Sequence, residues 1–162
     1  MIKILLTQGK TAIIDNDDYK LVSKYKWHYA DYLDGRGYAK TYNRGNKPHL
    51  LRMHRLILGA KDGEKVDHIN QNTLDNRREN LRFVTQSQNM MNMKPRRTNK
   101  SGYKGVCRIS NELYKHRPWL ATTWKDCKQV HIGYFTTAKE AAKAYNKKVS
   151  ELHGEYAYLN KI

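Results

Sequence analysis

Apolar and polar positions alternate from the first residues of the chain. Ile2 to Leu6 and Thr11 to Asp15 are short β-prone runs around Gln8-Gly9-Lys10, which predicts an N-terminal hairpin. Asp15-Asn16-Asp17-Asp18 then offers N-cap candidates for a short helix carrying Tyr19, Leu21, Val22 and Tyr25. Aromatic-rich strands are expected at about Trp27–Leu33 and Gly37–Asn43, turning near Asp34-Gly35-Arg36-Gly37, with a third at about His49–Met53. A short apolar strand, Val66-Asp67-His68, leads into a long polar loop, and the chain returns at Leu81–Val84 before a helix opened by Thr85-Gln86-Ser87-Gln88. Three more β-prone segments follow, Tyr103–Ser110, Pro118–Lys125 and Gln129–Phe135. The last element changes period: Ala138, Ala141, Ala142, Tyr145, Val149 and Leu152 are spaced 3, 1, 3, 4 and 3 apart, one face of a helix. Thr137 and Glu140 have capping-box spacing before it, and Gly154 lies just past its end.

These elements predict an α+β protein: a β-hairpin-rich start, a strand–loop–strand–helix module, and a three-stranded antiparallel sheet packed on one helix. The organisation expected is 1–93 as a first domain, with its β-rich part at about 1–50 and its functional module at about 64–93. A basic linker at 94–100 and a second domain at 101–162 complete it. A length of 162 residues with 39% hydrophobic content suffices for two small cores. No apolar run approaches the roughly 20 residues of a membrane helix, and Met1 to Leu6 is too short for a secretory signal, so an intracellular, non-secreted protein is expected. Cys107 and Cys127 form no Cys-x-x-Cys pair, which argues against a zinc knuckle or a disulfide framework.

Charge narrows the partner. There are 31 Lys+Arg against 15 Asp+Glu, a net +16. Residues 1–93 carry a net +6 and residues 94–162 a net +10. A folded chain with that surplus favours a polyanion, nucleic acid before an anionic membrane, and no basic amphipathic helix supports the membrane. Lys94, Arg96, Arg97 and Lys100 make the linker a candidate for tracking phosphates. Lys40, Arg44, Lys47 and Arg52 are basic positions on the first sheet, read equally as solvated charges or as DNA contacts. In the second domain an alanine-faced helix can lie close across the sheet and leave the other sheet face free for a major groove.

Asp67 and His68 carry the chemistry. The Asp67 carboxylate and the Asn89 amide oxygen are hard donors suited to one Mg²⁺ or Mn²⁺ ion. An imidazole with an ordinary pKa of about 6.5 makes His68 a general base for an attacking water at neutral pH. Asn80 can bond backbone across the loop and hold His68 in place. Taken alone, an Asp-His pair before a polar loop is more often structural than catalytic. Adjacent strand residues also face opposite ways, so Asp67 and His68 share a site only at a strand end or a bulge.

His54-Arg55-Leu56-Ile57, Val66-Asp67-His68-Ile69-Asn70, Leu74 to Arg82 and Thr85 to Asn92 closely resemble the HNH endonucleases, nearest to the phage branch that includes intron-encoded homing enzymes. The resemblance implies a ββα-metal site around one divalent ion. It makes His68 the general base, Asp67 a metal ligand, Asn80 the middle Asn of the motif, and Asn89 the last position, where many members carry His. With a single carboxylate, metal binding is expected to be weak until DNA supplies a phosphate. His54 is read as packing or DNA contact.

Tyr103-Lys104-Gly105-Val106, Trp119-Leu120-Ala121, His131 to Phe135 and Thr137 to Tyr145 resemble the APETALA2/ethylene-response-factor DNA-binding domain, a family that lays its sheet in the major groove. The second strand has Trp124 where that family has Arg, and the third has His131 where it has Trp. Thr122, Trp124, Gln129 and His131 are therefore the candidate base readers. Lys104, Arg108, Lys125, Lys128, Arg96 and Arg97 are the candidate phosphate contacts. Trp119, Ala121 and Tyr145 are assigned to packing.

The reading is a metal-dependent endonuclease on double-stranded DNA, a site-preferring, homing-type nicking or cleaving enzyme of phage. A monomer or weak dimer is expected, with no obligatory protein partner. Two rivals are a non-cutting DNA-binding regulator and an RNA binder using exposed aromatics such as Trp124.

Overall fold

Residues 1–31, 37–43 and 49–162 are described by a computed structural model and fall into two units, Met1–Asn89 and Met90–Ile162. The first begins with the expected hairpin: β1 (Ile2–Leu5) pairs antiparallel with β2 (Thr11–Ile14). Gln8 (φ 61°) and Gly9 (φ 64°) turn the chain between them. A 3-10 turn at Asn16–Asp18 and the one-turn helix α1 (Tyr19–Val22) follow. Neither Asp15 nor Asp18 caps a helix by its side chain. Both carboxylates bind Arg78 instead, Asp15 through the Arg78 backbone N–H (2.8 Å) and Asp18 through the guanidinium (2.7 Å). The Trp27 indole donates to the Val22 carbonyl (2.9 Å) and is buried, so β3 starts one residue later.

Strands β3 (His28–Asp31), β4 (Gly37–Asn43) and β5 (His49–Arg52) form a sheet in that order, all antiparallel. Lys40 and Arg52 are cross-strand partners. Arg44, Lys47 and most of the Asp34-Gly35-Arg36-Gly37 turn lie outside the described residues. Helix α2 (Met53–Leu58) stops at Gly59, whose φ of 62° is the left-handed C-cap that glycine adopts without a Cβ penalty. The module read as functional follows, as β6 (Lys65–His68), β7 (Leu81–Val84) and α3 (Gln86–Asn92). Leu6, Ala12, Ile14, Val22, Trp27, Ala39, Met53, Ile57 and Leu81 make one core beneath these elements.

In the second unit β8 (Val106–Arg108), β9 (Trp119–Lys125) and β10 (Lys128–Phe135) form an antiparallel sheet in the order β10-β9-β8. Helix α4 (Ala138–His153) packs on it through Ala141, Ala142, Tyr145 and Val149 against Val106 and Ala121. Both halves of the Thr137/Glu140 capping box form. Strand β8 is shorter than its β-prone run because Asn99 to Gly105 is taken up by a turn, with Ser101 Oγ donating to the Val106 carbonyl (2.7 Å). Among the described residues no helix is long and apolar enough to cross a membrane.

Candidate active site

The polar stretch between β6 and β7 is a fully bonded loop. It docks on the N-terminal hairpin through main chain: the Ile13 N–H donates to the Leu74 carbonyl (2.8 Å) and the Asn76 N–H to the Ile13 carbonyl (2.7 Å). Arg78 ties it to Asp15, to buried Asp18 and to the Ile57 carbonyl. Asp75 is buried beside the Arg77 guanidinium, which holds its carboxyl below the usual range. Asn80, also buried, closes the loop from inside. Its amide donates to the Asp75 carbonyl (2.7 Å) and its Oδ1 accepts from the Asn70 N–H (2.9 Å), while its own carbonyl accepts from Ile69 N–H (2.9 Å).

That closed loop begins at His68, the last residue of β6. The register pairs Asp67 with Arg82 and His68 with Leu81, so the two candidate residues face opposite sides of the hairpin with His68 at the strand end. His68 is 4% exposed and sits among rings: His54 edge-on with centroids 5.0 Å apart, and Tyr38 at 6.1 Å. Burial lowers its pKa, against the opposing pull of Asn76, Asp67 and Asp75. His54 is held well below its usual pKa by burial first and by its cationic neighbours second, so both imidazoles stay neutral around pH 7.

Asn76 is the residue the sequence did not single out. It is fully buried, with its Nδ2 donating to the Leu74 carbonyl (3.2 Å) and its Oδ1 3.2 Å from His68 Nε2. The Leu74 bond fixes which way the amide points. An oxygen therefore faces His68, and Nε2 must carry the proton while Nδ1 keeps the lone pair. With His68 read as a general base, Asn76→Ala is expected to lower turnover by roughly 10–100-fold with KM little changed, because ring orientation is lost and substrate contacts are not. A raised KM with kcat unchanged, measured by steady-state kinetics, would instead assign Asn76 to substrate binding.

Asp67 lies on the other hairpin face with its Oδ2 3.2 Å from Arg82 Nη2 and 3.3 Å from Arg82 Nε. Asn89 is half-buried on α3, whose start is fixed by reciprocal bonds between Thr85 and Gln88. No group of three or more His, Cys, Asp and Glu capable of holding a metal occurs among the described residues. A donor set of one carboxylate and amide oxygens suits Mg²⁺ or Mn²⁺ and is unlike the nitrogen and sulfur cages of zinc.

In the second unit the register sorts the candidate nucleic-acid residues. Leu120, Thr122 and Trp124 of β9 share a face with their partners Cys107, Tyr134, His131 and Gln129, opposite to Ala121 and Thr123, which face α4. A bulge between His131 and Gly133 turns Ile132 to the core. Trp124 is 61% exposed. Lys125, Lys128, Arg96 and Arg97 are exposed, and exposed Arg108 pairs with Trp119, off the Trp124 face. Lys104 departs from its expected role. Its ammonium donates to the Met90 and Met91 carbonyls (2.9 and 2.6 Å), and burial pushes its pKa down to about 8. A cation engaged with backbone in this way is not presented to phosphate.

Against known proteins, a family model described as HNH endonuclease matches residues 52–91. An uncharacterized HNH endonuclease of Acanthamoeba polyphaga mimivirus is 36% identical over 157 residues, covering 96% of this chain and 77% of that one. Protein 3.8 of Escherichia phage T7 is 30% identical over 95 residues, 59% of this chain and 74% of that one. No solved structure matches the chain.

Proposed function

The chain belongs to the HNH endonuclease family of DNA-hydrolysing enzymes, and from that premise we propose a site-preferring, homing-type nuclease that nicks double-stranded DNA with one Mg²⁺ or Mn²⁺ ion and His68 as general base. The observation that carries this is the clamped imidazole: His68 ends β6 with Nε2 against Asn76 Oδ1, inside a loop closed by Asn80. Such a ring has one orientation and one tautomer, which is what a base aimed at a single water requires.

Asp67 and Asn89 would hold the ion, which when bound polarises the phosphoryl oxygen and stabilises the leaving oxygen. His68 Nδ1 removes the proton of the attacking water, and the phosphodiester opens to 5′-phosphate and 3′-hydroxyl. One such site cuts one strand per engagement, so a monomer nicks. The protein acts where its DNA is, inside the cell.

The second unit is proposed as an APETALA2-like reading module, with Thr122, Trp124, Gln129 and His131 toward the bases. Arg108, Lys125, Lys128, Arg96 and Arg97, all exposed, are the proposed phosphate contacts. The support is the cross-strand register, by which Thr122, Trp124, Gln129 and His131 share the sheet face away from α4, half-buried at Thr122 and exposed at the other three. Gln129→Ala is expected to cost about 1–3 kcal/mol of discrimination at one base pair, with the salt dependence of binding unchanged. Competition binding against single-base variants of a selected site checks it.

The activity itself is tested on supercoiled plasmid with Mg²⁺, Mn²⁺ or chelator, then on DNA carrying a selected target. Metal-dependent open circles are expected. A chain that retards both DNAs on a gel and leaves both supercoiled is a binding regulator and not a nuclease.

A further inference from the structure

Among the described residues, unit one has three Asp–Arg pairs that differ in kind. Arg77 grips Asp75 with two short bonds (2.8 and 2.7 Å), and Arg78 reaches Asp18 at 2.7 Å. Both pairs bind the polar loop in place. Arg82 and Asp67 are cross-strand partners whose contacts are longer, 3.2 and 3.3 Å, both to Oδ2. Charge-assisted bonds ordinarily run about 2.7–2.9 Å, so these two contacts are long for their kind. Each of its side chains is only 11% exposed. Enclosing a carboxylate and a guanidinium in that way contributes little to stability, since desolvation offsets most of the attraction. Stability alone does not account for the pair, and its acid is the residue read as the metal ligand.

A guanidinium within 3.3 Å of that carboxylate opposes entry of a second cation. The same planar fork matches a phosphate's oxygens, and phosphate is what the substrate brings to Asp67. We propose that Arg82 is a substrate-responsive gate on the metal position: it neutralises Asp67 while no DNA is bound, and transfers its guanidinium to the scissile phosphate when DNA and the divalent ion enter together. The inference rests on the nuclease reading and adds to it a residue that touches substrate. In the resting state Asp67 is balanced by Arg82. In the loaded state the ion is shared by Asp67 and a phosphate oxygen, and Arg82 faces another oxygen of that phosphate. Metal binding and DNA binding are then coupled, each raising affinity for the other by the same factor.

The test uses full-length protein in a His68→Ala background, so that DNA stays intact, with Mn²⁺ as the probe and its free aqua-ion signal read by electron paramagnetic resonance. DNA alone is the blank. Without DNA, Arg82→Gln is expected to bind Mn²⁺ about tenfold more tightly than its parent, and with duplex DNA that advantage disappears. With His68 restored, Arg82→Gln nicks at least tenfold more slowly at saturating Mn²⁺. Unchanged Mn²⁺ affinity without DNA, in a variant whose thermal melt matches the parent, overturns the gate. Tighter Mn²⁺ with undiminished nicking overturns the phosphate contact. If Arg82→Gln does not fold, Arg82→Lys decides: it keeps the charge and so the weak affinity, and loses turnover with the fork, so undiminished nicking overturns the proposal. A parent that binds no Mn²⁺ even with DNA, and a wild-type chain that nicks nothing, removes the nuclease reading itself.

Discussion

His68→Ala is expected to lower DNA nicking by about 10²–10⁴-fold, the range that a positioned general base contributes. Among the described residues the ring's imidazole neighbour is His54, which packs edge-on with centroids 5.0 Å away and is itself buried. In the proposed role the neutral form is the one that accepts a proton. Burial lowers the His68 pKa below its usual 6.5, so the midpoint of the acid limb in wild-type kcat/KM for DNA should lie below pH 6.5. An ordinary exposed imidazole would already be half protonated there. The variant should show no acid limb from this group at all. Removing a buried ring also leaves a cavity, so a melting curve must accompany the kinetics. DNA affinity is expected to be kept, since the candidate base readers lie in the other unit. Wild-type-like nicking by a folded His68→Ala protein would end the assignment. An acid limb above pH 6.5 would mean that the group titrating is not this buried ring.

How much of this could be read beforehand depended on whether the determining forces are local. Helix α4 was legible because its Ala, Tyr and Val positions follow the helical period and its capping box spans only four residues. Strands β6 and β7 and the Thr85 start of α3 were legible for the same reason. Asp67 and His68 stood out as residue types, and strand alternation, which turns them to opposite faces with His68 at the end of β6, was legible too.

The rest depends on distant partners. Asp15 and Asp18 have the composition of N-caps, yet Arg78, 60 or more residues on, takes both. Asn76 looks like any residue of a polar turn. Only the backbone exchange with Ile13 buries it under His68. Lys104 reads as surface charge until the Met90 and Met91 carbonyls are brought beside it. Arg82 follows the strand alternation and gives no sign of its pairing, which comes from register with Asp67. Local pattern fixes elements, and long-range docking decides which polar side chains are enclosed. Those enclosed groups include the residues proposed here for catalysis.

The largest effect on stability is expected from one added methyl group, Gly105→Ala. Gly105 has a φ of 72°, in the left-handed region where a Cβ is strained. A Cβ there would lie 2.1 Å from the Tyr145 ring and 2.5 Å from the Thr122 carbonyl oxygen. Neither neighbour can move aside. Tyr145 is 3% exposed at the centre of the α4 face, and the Gly105 carbonyl itself accepts the Thr122 N–H at 2.8 Å, tying the turn before β8 to β9. Strain of about 1–2 kcal/mol from the backbone and about 1–3 kcal/mol from overpacking together approach the whole stability of a small unit. Hydrogen exchange followed by mass spectrometry separates the outcome by region. Protection in β8, β9 and α4 should collapse, while β1, β2, β6 and β7 keep theirs, because their core is a different set of side chains. Nicking should then survive at high enzyme concentration with its site preference gone, which is what separate cores for cutting and for reading demand. Loss of protection in both units would show instead that the two cores fold as one. Unchanged protection in β8 and α4 would mean that the Tyr145 ring is not wedged against this turn.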